Sequence, residues 1–139
     1  MTEAIHEFLS SGSRHKLIVC SSELDGLSYA DIGQLLSLKI KSESTASKIS
    51  LIAQSELEEI MTNSTHMHEN LGVYIALKNL GILLEPDLKL DFTAFLSRYS
   101  ATNPLFIQWK GAIKQDKLHF LTEENGITIN LDNISHIIA

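Results

Sequence analysis

Residues 15–28, HKLIVCSSELDGLS, run from a buried strand into a loop and on towards a helix opening near Ser28. In a nucleotide-binding α/β domain this is where phosphate is held. That chemistry needs glycines, so that the backbone can approach closely, and a lysine against the β- and γ-phosphates. Here Gly26 is the only glycine, no lysine follows it, and Glu23 and Asp25 bring negative charge. The placement points to a phosphate-loop fold, while the chemistry argues against a working nucleotide site. Cys20, Ser21, Ser22, Gly26 and Ser28 are the residues of that degenerate loop.

Other groupings are weaker. His66 and His68 would point the same way in an extended segment, so two imidazoles could converge on a metal. No third or fourth ligand is evident, and two histidines of an exposed loop are expected instead, with no metal. Glu58 and Glu59 are adjacent on a helix and diverge. Glu85, Asp87 and Asp91 surround Pro86, and Asp91 stands where a helix N-cap belongs. No serine sits in a nucleophile elbow. Cys20 ends an apolar strand and is expected to pack as a small core residue.

These residues need elements to position them. Residues 2–11 fit a short amphipathic helix carrying Ile5, Phe8 and Leu9. Residues 16–20 form an apolar first strand, as expected for a strand covered on both faces. A helix is expected over 28–36, with Ser28 and Asp31 as a capping box and Tyr29, Ile32, Leu35 and Leu36 inward. Leu36, Leu38 and Ile40 alternate with polar residues, which predicts a half-buried edge strand. A polar link, 42–47, leads to a helix ending near Met61, and 62–70 is expected as a polar loop. Val73 to Leu77 form a buried strand, 91–99 a helix, and 104–111 a third long strand. A hairpin turning at Gln115–Asp116 returns from it as an antiparallel edge, and the apolar tail adds a strand or docks on the core. Strands alternating with helices predict a three-layer α/β/α domain with a mostly parallel sheet.

The 139 residues suit one domain, 1–139, with 44% apolar and 20% charged residues. A net charge of −6 disfavours direct nucleic-acid binding. No apolar run approaches a membrane span, the N-terminus does not read as a secretory signal, and the single cysteine fits a reducing cytoplasm. Charge is uneven. Lys78, Lys89, Arg98, Lys110, Lys114 and Lys117 fall between 78 and 117, and Glu56, Glu58, Glu59 and Glu69 between 56 and 69. A docking surface built on Trp109, Lys110, Lys114 and Lys117 is one reading of the basic region.

Residues 73–91, VYIALKNLGILLEPDLKLD, followed by a helix ending in Arg98, by PLFIQWKG and by LHFL, carry a resemblance. Asn79, Glu85, Pro86, Leu88, Leu90, Asp91, Arg98, Trp109 and Gly111 are its residues. The pattern resembles the C-terminal half of BrxF-like proteins, small phosphate-loop proteins of BREX phage-defence systems, over roughly 70–121. The resemblance implies a P-loop NTPase-like fold in which the first and third strands flank a fourth, with ATP at the first loop. That loop would align with Cys20–Leu27, and the Walker-B aspartate would fall near Lys78. Replacing a magnesium-binding carboxylate by lysine leaves nothing for the metal. The expectation is therefore a non-enzymatic scaffold or interaction subunit without a cofactor. Its partner would be a methyltransferase or large ATPase of the same system, with self-association left open. The alternative is a nucleotide sensor or weak ATPase using a non-standard loop.

Overall fold

The computed structural model describes residues 2–43, 48–120 and 126–139. Helices α1 (Glu3–Ser10), α2 (Ile32–Glu43), α3 (Ile49–Asn63) and α4 (Phe92–Thr102) pack around a six-stranded sheet. Its strands are β1 (Leu17–Cys20), β2 (Tyr29–Asp31), β3 (Thr65–His68), β4 (Gly72–Lys78), β5 (Leu105–Gln108) and β9 (His136–Ile138). The order is β2-β4-β5-β1-β9, all parallel. β3 runs antiparallel to β4 and shares one side of it with β2: β3 lies along 72–75 and β2 along 76–78.

Side chains alternate across a strand, and here both faces are covered. Leu17, Val19, Ile75, Leu77, Leu105 and Ile107 face a large cluster that includes Leu36, Leu57, Phe92 and Phe95 of α2, α3 and α4. Ile18, Cys20, Tyr74, Ala76 and Phe106 face a smaller cluster with Ile5 of α1 and Leu24 and Leu27 of the loop after β1. Helices thus cover both faces, but unevenly.

Several expectations need correction. Residues 29–31 are a strand, not the first turn of a helix, and Asp31 rather than Ser28 caps α2, accepting from Gln34 N at 2.9 Å. Residues 36–40 are helical. Ile32, Leu36 and Ile40 recur every fourth residue, and that longer period overrides a short run of alternation. Leu35, assigned to the buried stripe, is 41% exposed. Of the polar link, 44–47 lie outside the described residues. The polar segment after α3 is not a loop, because THMH pairs with β4 as β3.

The hairpin turns where expected. Gln115 and Asp116 both have positive φ, 51° and 62°, as a two-residue type I′ turn requires. Its strands, β6 (Ala112–Lys114) and β7 (Lys117–Phe120), do not extend the central sheet. They form a separate antiparallel sheet with β8 (Ile127–Asn130). The tail adds strands, β8 to the small sheet and β9 beside β1, while Leu131 and Ile134 between them are buried in the core. Asp116 ties the two sheets, accepting Leu131 N at 2.9 Å through its backbone and lying 2.9 Å from His136 Nε2 through its carboxylate.

Candidate functional site

Open parallel sheets place ligands outside the carboxyl ends of their strands. The first candidate site is therefore where β1, β2, β4 and β5 end. β1 delivers Cys20 and the loop 21–28, β4 delivers Lys78 and Asn79, and β5 delivers Gln108, Trp109 and Lys110. The sequence placed the loop residues and Lys78 at this end, and the fold brings them together.

The loop is held by two tyrosines that the sequence reading had not assigned to it. Leu24 N donates to Tyr29 Oη at 3.0 Å, and Ser28 N donates to Tyr74 Oη at 2.9 Å. Backbone N–H groups of this kind would cradle a phosphate. Here phenol oxygens take two of them. Tyr74 is buried, stacks edge-on against Phe106, and reaches the loop from a central strand. Burial pushes the Tyr29 phenol up to about 12, so it stays a neutral hydroxyl.

The start of α2 is also occupied. Its first free amides are an anion-binding feature when left open. Gly33 N instead donates to Asn79 O at 3.0 Å, and Gln34 N to Asp31 Oδ1. Asn79 is left-handed, φ 58°, and its amide also donates to Asp31 Oδ1 at 2.8 Å. A side chain at Gly33 would overlap that Asn79 amide, so glycine is required there by close approach. The Gln34 amide, more than any other group, holds the Asp31 carboxyl below its ordinary range, with Asn79, Lys78 and Lys110 adding to it against partial burial.

Lys78 Nζ lies 3.4 Å from Glu23 Oε1. The cation that stands where the resemblance would put a magnesium carboxylate is thus partnered by the loop's own acid. Cys20 is buried at 1% exposure, and burial pushes its thiol up to about 11 against a hydrogen bond with Tyr29. It is a core residue, not a nucleophile. Ser21, Ser22, Gly26 and Ser28 are exposed.

The expected docking surface changes. Trp109 is 3% exposed and packs between Phe92 and Phe120, at 5.9 and 6.3 Å between ring centres. Its indole N–H donates to His119 O at 3.2 Å. An indole whose ring and N–H are both satisfied inside the protein is no exposed anchor. Gly111 permits this, since a side chain there would overlap His119 O. Lys110, Lys114 and Lys117 remain exposed.

His66 and His68 do share one face of β3, their rings 5.9 and 6.2 Å from that of Tyr74. Among the described residues no group of three or more metal-binding side chains converges. Asp91 caps α4, accepting from Ala94 N at 3.0 Å. No helix is long and apolar enough to cross a membrane among the described residues. No protein-family model, curated protein or solved structure matches this chain.

Proposed function

We propose that this chain is a non-catalytic interaction subunit of a bacterial anti-phage defence complex of the BREX type, built on a degenerate P-loop NTPase-like domain. It acts in the cytoplasm by binding a larger protein of the system, such as its methyltransferase or large ATPase. The single observation that carries the non-catalytic part is the loop after β1, whose Leu24 and Ser28 amides are consumed by tyrosine hydroxyls. A nucleotide would have to displace both, break the Lys78–Glu23 pair, and find acceptor-free amides at α2 that Asp31 and Asn79 already hold.

The fold part draws support from strand order. β5 lies between β1 and β4, the arrangement that the BrxF-like resemblance implies. The defence assignment rests on that resemblance in residues 70–121. The test is twofold. Thermal melting with millimolar Mg-ATP should leave the transition unmoved, and co-expression with the BREX methyltransferase and large ATPase should yield a stable complex. A magnesium-dependent shift overturns the first part. Failure to retain any subunit of the system overturns the second.

A further inference from the structure

We propose that the outer edge of β3, with the acidic groove beside it, docks an extended basic segment of a partner protein. The inference rests on the interaction reading above and names the face and the chemistry of what binds there.

β3 pairs with β4 alone, so among the described residues its other side meets no strand. An edge strand offers unpaired N–H and C=O groups, and folded proteins commonly blunt such edges with lysine, proline or a bulge. Thr65–His68 carries none of these, and its four residues make a short edge. Its Met67 is 73% exposed. Strand addition to such an edge takes its affinity from backbone hydrogen bonds and its specificity from alternate side chains.

The register says where those side chains would fall. Thr65 pairs with Ile75, and Met67 with Val73, so all four share one sheet face. Ile75 packs in the cluster that holds Leu36 and Ile60, which puts Met67 and Val73 on the side of α2 and α3. On that side lies a groove of about 320 Å³ between α2 and α3, lined by Leu35, Lys39, Ile60, Glu56 and Glu59, two carboxylates to one ammonium. It runs to Ser64, the residue before β3. Leu35, Met67 and Val73 are three of the large apolar side chains left exposed by the fold.

Charge selects the occupant. Glu56 Oε2 is buried and forms a long ion pair with Lys39 Nζ at 3.9 Å, but among the described residues it accepts no hydrogen bond. Glu59 adds a second carboxylate to the groove. A lysine or arginine entering there makes the charge-assisted hydrogen bond that Glu56 lacks. A second copy would add two more glutamates against one lysine at the junction, whereas a basic strand satisfies edge and groove together.

The probes are two fluorescein-labelled ten-residue peptides of alternating Val and Thr, one carrying lysines and the other glutamates at matched positions. Anisotropy titrations with the full chain should show the lysine peptide binding about tenfold tighter or better. Met67→Lys, and separately Glu56→Gln with Glu59→Gln, should each weaken it by about tenfold, with folding verified by circular dichroism. Hydrogen exchange should slow at 65–68 when the lysine peptide is bound. Equal binding of both peptides, unchanged binding to Met67→Lys, or no protection of 65–68 overturns the proposal. So does a dimer in sedimentation that Met67→Lys dissolves, because the edge then serves a second copy. If the peptide fails while defence subunits still co-purify, this face is wrong and the interaction reading stands.

Discussion

Lys78 and Glu23 meet at 3.4 Å across the carboxyl ends of β4 and β1, joining the one lysine at the end of β4 to the loop that follows β1. Both side chains are substantially exposed, so the pair is worth little in stability, about 0–1 kcal/mol. Its importance is positional: it pairs a cation at the mouth of the loop with the loop's own acid. Millimolar Mg-ATP is therefore expected to leave the melting transition of the parent unchanged. Lys78→Asp should not restore binding either, because the loop amides still belong to Tyr29 and Tyr74. Ligand at a hundredfold its dissociation constant would stabilise by about 2.7 kcal/mol, so a real site would be conspicuous.

Tyr74→Phe tests the hold on the loop directly. The ring keeps its packing on Phe106, but Ser28 N loses its acceptor. Orphaning a part-buried donor is expected to cost about 1–3 kcal/mol in chemical denaturation, with faster exchange of the Ser28 amide. An unchanged transition midpoint together with unchanged exchange would show that the hydroxyl does not restrain the loop.

Phe106→Ala and Ile75→Ala remove side chains from opposite faces of the sheet, one in each apolar cluster. Each should lose roughly 2–5 kcal/mol through lost burial and the cavity left behind. Leu38→Ala, on a side chain 60% exposed, should stay within about 0.5 kcal/mol. Comparable losses at all three would mean that the central strands are not where the core sits.

Cys20 should be inert in the folded protein. With its thiol pushed up to about 11, roughly one molecule in a thousand carries a thiolate at pH 8, and the sulfur is buried besides. Aromatic disulfide reagents at pH 8 should label it only as denaturant unfolds the chain. Rapid stoichiometric labelling of the native protein would contradict its place in the core.

Asp31 governs a small acid-range slope. Its folded carboxyl is held low, first by the Gln34 amide, so its contribution is present above the unfolded carboxylate range and lost as pH falls through the folded value. Asp31→Asn should flatten the fall in stability between about pH 5 and pH 2 relative to the parent. Parallel curves for the two proteins would show that Asp31 is not linked to folding.

Much of this architecture was legible along the chain, because it is written in local patterns. Leu17–Cys20, Gly72–Lys78 and Leu105–Gln108 announce themselves as apolar runs covered on both faces. Asp91 announces a helix start, and Gln115–Asp116 a turn. That 20–28 holds one glycine and no lysine is equally local, and is read from the sequence alone. Other features depended on partners distant in sequence. Tyr29 to Asp31 are a strand because β4 offers them its edge, and THMH is a strand for the same reason, with no apolar period of its own. The tyrosine hydroxyls that hold the loop come from 29 and 74, the latter 46 residues from the amide it serves. Trp109 turned inward because His119, ten residues on, returns to accept its N–H. Periodicity reports whether a residue is covered. Only the closed fold decides which group covers it, because hydrogen bonds and strand edges are matched in space rather than along the chain.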